Sequence, residues 1–167
     1  MSVESTQYIF LVDDEPIQNE MLKDYLSERF QYQFKTYDSG EAAMKDMHLN
    51  PEIMVLDFHL NAHLPNAQNG VEVLKKVKEI ENSPEVIMLS GQDKIEVAVD
   101  SMKYGAYDYV IKGETAFARM ENIITNINVL KNTRAVNKTY RGVIGALVAA
   151  LVAIIAVSVV MVMKLKS

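Results

Sequence analysis

Five residues whose types could do chemistry together fall immediately after apolar runs. Asp13 and Asp14 follow Tyr8 to Val12, Asp57 follows Ile53 to Leu56, Ser90 follows Val86 to Leu89, and Lys112 follows Tyr107 to Ile111. Three carboxylates brought together repel one another and raise each other's pKa unless a cation joins them. A hard divalent ion such as Mg²⁺, which takes oxygen ligands, meets that need. A lysine beside the group adds a fixed positive charge, and a serine offers a hydroxyl donor. Such a set could bind a metal, accept a phosphoryl group on a carboxylate and stabilise the charge on its oxygens. Taken singly, each residue has a plainer use, since acidic residues at loop starts cap helices and a lone lysine is usually solvated. The information lies in all five standing at successive run ends.

The elements that must position them can be read from the pattern. The runs above, with Tyr32 to Tyr37 as the second, are rich in β-branched, aromatic and aliphatic residues, as strands buried on both faces are. Helical periodicity separates them. Ile17, Met21, Leu22, Tyr25 and Leu26 are expected to share the buried face of the first helix. Val73, Leu74, Val77 and Ile80 do so in the third, and Phe117, Met120, Ile123, Ile124, Ile127 and Leu130 in the fifth. Ser39 is expected to cap the second helix and Asp93 the fourth. Strict alternation of strand and helix implies a parallel sheet with helices on both sides, an α/β doubly wound fold of five strands. Its crevice lies at the carboxyl ends of the strands, where the five residues sit.

The remainder of the chain has a different composition. Gly142 to Met163 carries no charge and only Ser158 as a polar side chain. At about 1.5 Å per residue it spans roughly 33 Å, against about 30 Å of hydrocarbon, so a transmembrane helix is expected over 142–163. Residues 131–141 form a basic juxtamembrane linker and 164–167 a short tail. Lys131, Arg134, Lys138 and Arg141 precede the span and only Lys164 and Lys166 follow it, which places the N-terminal domain, residues 1–130, in the cytoplasm. The opening residues lack the basic start and apolar run of a secretory signal. Small residues recur every four positions at Gly142, Ala146 and Ala150 and at Gly145, Ala149 and Ala153, a spacing suited to a homodimer through the span. The chain has no cysteine and a net charge of -5, with its acidic residues mainly before position 122, which argues against nucleic-acid binding.

The strings IFLVDDEP, IMVLDF, VIMLSGQD and GAYDYVIKG, in this order and spacing, resemble the response-regulator receiver family of two-component signal transduction over about residues 6 to 130. The resemblance implies a flavodoxin-like receiver fold and a phosphoacceptor signalling domain that catalyses only its own phosphoryl transfer and loss. Asp57 would be the phosphoacceptor, forming 4-aspartylphosphate. Asp14 would be a direct Mg²⁺ ligand, Asp13 a ligand through water, and the backbone carbonyl of His59 would complete the site with Asp57. Ser90 and Lys112 would contact the phosphoryl oxygens, Tyr109 would be the aromatic switch, and Gly91 would leave the site open. The partner implied is a histidine kinase or a histidine phosphotransfer protein, and the setting a bacterial cytoplasmic membrane crossed once, with membrane lipid as a further partner.

Two departures from the family pattern stand out. Its usual proline and glycine after the phosphoacceptor are replaced by Asn61 and Pro65, so the equivalent glycine is Gly70 and the loop is longer, with His59 and His63 in it. Gly113 follows Lys112 in place of a proline in a cis peptide, so this bond is expected to be trans. An aspartate-dependent phosphatase would want a second Asp two residues after the nucleophile, where His59 stands, and a flavin carrier would meet Asp13, Asp14 and Glu15 in its phosphate loop. The remaining alternative is an unphosphorylated docking scaffold at the membrane.

Overall fold

A computed structural model of the chain describes residues 6–60, 68–91 and 95–165, apart from the side chains of Ala135, Lys138, Ile154, 156–160 and 162–165. It divides into two units, residues up to Thr125 and residues from Asn126 on.

The first unit alternates strand and helix. Its strands are β1 (Tyr8–Val12), β2 (Gln33–Tyr37), β3 (Ile53–Asp57), β4 (Glu85–Ser90) and β5 (Asp108–Ile111). Between them lie α1 (Pro16–Ser27), α2 (Gly40–Lys45) with a 3-10 turn at Met47–Leu49, α3 (Gly70–Lys78) and α4 (Ile95–Lys103); α5 (Ala116–Leu165) follows. All strand pairs are parallel, in the order β2-β1-β3-β4-β5. The chain therefore steps outward to β2 and then back past β1 to β3. That reversal opens a crevice at the carboxyl ends of β1 and β3.

The three central strands are buried on both faces, as their unbroken apolar sequences require. Phe10, Val12, Met54, Leu56, Val86 and Met88 face Ala43 of α2 and Val73, Leu74 and Val77 of α3. The alternate residues Ile9, Leu11, Ile53, Val55, Ile87 and Leu89 are buried on the other face. Asn69 and Glu72 form a reciprocal capping box, which fixes where α3 begins.

Several expectations are corrected. In α1 the buried residues are Asn19, Leu22 and Leu26, whereas Ile17 and Met21 are exposed. At 100° per residue, Ile17 and Met21 fall on the far side of the helix from that trio. Leu130 is exposed as well. Ser39 occupies the N-cap position of α2, but its hydroxyl donates to Asp38 Oδ1 at 3.0 Å instead of capping the helix. Asp93 lies outside the described residues.

Residues 131–141, expected as a linker, are helical within α5. Among the described residues no helix is long and apolar enough to cross a membrane. The transmembrane helix expected over 142–163 is therefore not shown, and the residues from Gly142 on continue α5.

Candidate functional site

The reversal of strand order brings the ends of β1 and β3 side by side, with Val12 paired to Leu56. Asp13 and Asp57, each one step along, therefore emerge together. Asp14 turns into the same crevice, and ligand oxygens of Asp13, Asp14 and Asp57 all lie within 4.8 Å of one another. Asp57 is 2% exposed and Asp13 4%. Carboxylates this dry need partners, and the partners present are few.

Lys112, just past β5, reaches across the sheet edge. Its Nζ lies 2.7 Å from Asp13 Oδ2 and 3.3 Å from Asp57 Oδ1. Asp13 Oδ1 accepts the Glu15 N–H at 2.9 Å, and Asp57 Oδ2 accepts the His59 N–H at 3.2 Å. Among the described residues the buried Asp14 Oδ2 meets no hydrogen-bond partner, and Asp57 Oδ1 has the Lys112 ion pair at 3.3 Å without good hydrogen-bond geometry. One ammonium thus pairs with two of the three carboxylates. Burial holds the Asp57 carboxyl above its usual range, the Asp13 charge adds to this, and Lys112 opposes it. Burial alone would lower the Lys112 ammonium, but its hydrogen bond to Asp13 and the Asp57 charge outweigh that and raise it. An oxygen-rich, electron-rich crevice of this kind fits a hard divalent cation such as Mg²⁺.

Ser90 closes β4 and is fully buried, and Tyr109 is buried in the middle of β5. Gly91 is exposed, and an added Cβ there would meet nothing within 4 Å. His59 is half-buried, with its ring edge-on to Phe58 at 4.7 Å. The Lys112 and Gly113 peptide is trans, as expected, since the described residues contain no cis bond. Residues 61–67, including Asn61, His63 and Pro65, lie outside the described residues. Gly70 re-enters directly against the site. Its N–H donates to Phe58 O at 2.9 Å, and a Cβ there would stand 2.2 Å from Asp57 O.

Asn19 is the site residue that the apolar pattern misses. It is buried in α1, and its amide nitrogen donates to the main-chain carbonyls of Asp13 at 2.9 Å and Tyr37 at 3.0 Å. A signal was available: Asn19 precedes Leu22 by three and Leu26 by seven, on the face those two leucines bury.

A parallel α/β sheet whose switch point gathers buried carboxylates around a single lysine defines a receiver-type signalling domain. The comparisons make this particular. The family model "Response regulator receiver domain" matches residues 9–125, and the chain belongs to that family. It is 32% identical over 108 residues to the protein-glutamate methylesterase/protein-glutamine glutaminase of Bacillus subtilis, a match covering 62% of this chain and 29% of that protein. It is 25% identical over 121 residues to the chemotaxis protein CheY of Bacillus subtilis, covering 72% of this chain and 97% of CheY. Among solved structures, the receiver domain of NtrX from Brucella abortus superposes with a TM-score of 0.63 at 26% identity, over 71% of this chain and 96% of that one. Receiver domains take phosphoryl groups from histidine kinases or phosphotransfer proteins.

Proposed function

We propose that this chain is a response regulator that accepts a phosphoryl group on Asp57 from a histidine kinase or histidine phosphotransfer protein. The observation that carries the reading is the Asp57 Oδ1 atom, buried, ion-paired to Lys112 at 3.3 Å and set beside two further carboxylates. In the transfer, an Asp57 oxygen forms the new bond to phosphorus as the phosphorus–nitrogen bond of the donor phosphohistidine breaks, and the departing imidazole takes up a proton. Asp13, Asp14, Asp57 and the His59 carbonyl would hold Mg²⁺, which when bound supplies positive charge against the phosphoryl oxygens. Lys112 and the Ser90 hydroxyl contact those oxygens, and Gly91 leaves their approach open. Tyr109 reports the change by moving with Ser90. The domain acts on no separate substrate, and loss of its phosphoryl group to water resets it.

The C-terminal half of α5 serves as a membrane anchor in this reading, with the receiver on the cytoplasmic side. Support comes from the uncharged sequence 142–163 and from the exposure of Val143, Ile144, Leu147, Val148, Leu151, Val152 and Ile155 along the helix.

Incubation with Mg²⁺ and a small phosphodonor should label the wild type and not Asp57→Asn. Undiminished labelling in excess chelator would remove the metal from the reading, and labelling of Asp57→Asn would remove the phosphoacceptor. Membrane fractionation with and without residues 142–167 tests the anchor: a full chain that stays in the soluble fraction rejects it.

A further inference from the structure

Asp14 presents a difficulty that the first-named site residues do not resolve. Asp13 is fixed at three points: its Oδ1 by the Glu15 N–H, its Oδ2 by Lys112, and its N–H by the ladder bond to Tyr37 O at 3.1 Å. Among the described residues no donor meets the buried Asp14 Oδ2, so no hydrogen bond from them to that oxygen aims it into the crevice. Its direction must come from the main chain. The peptide plane between Asp13 and Asp14 sets that direction, and the free end of this plane is the Asp13 carbonyl, which lies beyond the last residue of β1.

Asn19 holds that carbonyl. One turn into α1, its Nδ2 spends one hydrogen on Asp13 O and the other on Tyr37 O, bridging the carboxyl ends of β1 and β2 from a position only 5% exposed. An amide is suited to this task because it carries two donors on one atom. A buried asparagine on an otherwise apolar helix face is costly unless its donors are used, and here both are.

We infer that Asn19 is a positioning residue for the metal site: it locks the Asp13 and Asp14 peptide so that the Asp14 carboxylate is aimed at the cation before the cation arrives. This rests on the metal-dependent reading above. Groups that orient ligands from behind typically change metal affinity 10–100-fold when removed.

The test is Mg²⁺ binding by titration calorimetry on the full chain, with unfolding midpoints measured in chelator alongside. Asn19→Leu keeps the volume and the helix but removes both donors, Asn19→Ala removes the side chain, and Asn19→Gln restores a two-donor amide. The expected result is a folded Leu variant whose Mg²⁺ dissociation constant rises about tenfold or more, with part of that loss recovered in Asn19→Gln. A merely structural asparagine would lower the midpoint and leave the dissociation constant of the folded protein unchanged, which overturns the inference. Failure of both the Leu and Ala variants to fold also overturns it, by assigning Asn19 to the scaffold alone. If the wild type itself binds no Mg²⁺, the metal reading fails first, and the two failures are thereby told apart.

Discussion

Removing the charge on Asp57 should stabilise the domain when no metal is present and should diminish its response to metal when one is. Asp57 faces Asp13 and Asp14 with ligand oxygens within 4.8 Å. At an effective dielectric constant of about 20, each such pair repels by about 3.5 kcal/mol, so the two together cost about 7 kcal/mol. Lys112 at 3.3 Å returns about 5 kcal/mol on the same footing. The balance, about 2 kcal/mol, is unfavourable, and it agrees in sign with a carboxyl held above its ordinary 3.8 by burial and by Asp13 against the pull of Lys112. A group whose folded pKa is raised binds its proton more tightly folded than unfolded. Wild-type stability in chelator should therefore fall as pH rises from about 3.8 through the folded value, and Asp57→Asn should lack that fall. At neutral pH in chelator the variant should melt about 8 °C above wild type, taking about 4 °C per kcal/mol for a domain of this size. Near-ultraviolet circular dichroism is the assay, because seven of the eight tyrosines precede Thr125. Mg²⁺ at 100 times its dissociation constant should then add about 2.7 kcal/mol to the wild type and much less to the variant, closing or reversing the gap. A variant that melts below wild type in chelator, or equal Mg²⁺ stabilisation of both, would refute the charge balance drawn from these distances.

Two further outcomes follow from other contacts. Gly70→Ala would place a Cβ 2.2 Å from Asp57 O and 2.9 Å from Phe58 Cα, so the main chain beside the phosphoacceptor must move. The expected cost is about 1–3 kcal/mol with loss of phosphodonor labelling, whereas Gly91→Ala, which meets open space, should leave melting unchanged; equal melting of the two variants would contradict the close approach. Asp46 accepts from Lys35 Nζ and from the Tyr37 hydroxyl, each at 2.9 Å, and these two partners hold its carboxyl below the ordinary 3.8. A lowered carboxyl contributes stability above its unfolded pKa and loses it as pH falls through the folded one. Asp46→Asn should accordingly be less stable than wild type near neutral pH, and acid titration of both should show the difference shrinking as pH falls below about 3.8 and vanishing past the lowered folded value; a difference that does not shrink on acidification removes the ionic origin.

The three central strands were legible because they are buried on both faces, so that composition alone marks them, whereas β2 and β5 at the sheet edges are only partly buried. β1 spans Tyr8–Val12 as read, while β3 runs one residue further, onto Asp57, and β4 gains one residue at each end, Glu85 and Ser90. Placing Asp13, Asp14, Asp57 and Lys112 together required only the parallel alternation, which puts every such end on one edge, and the structure brings those four within ion-pair or ligand distance. The phase of α1 was not legible by the same means. Ile17, Met21, Leu22, Tyr25 and Leu26 are all apolar or amphipathic, and an apolar stripe that wide fits more than one rotation of the helix. What chooses the rotation is polar: the Asp13 carbonyl, beyond the end of β1, takes its donor from α1, and the rotation that buries Asn19 supplies it, with a second bond to Tyr37 O beside the Asp13 N–H, while turning Ile17 and Met21 to solvent. Hydrophobic periodicity reports which side chains leave water. It carries no term for main-chain groups that a crevice strips of their ladder partners, and a functional crevice is where the sheet ends and such groups collect. A polar residue that falls in phase with two buried leucines is the sequence mark of that demand.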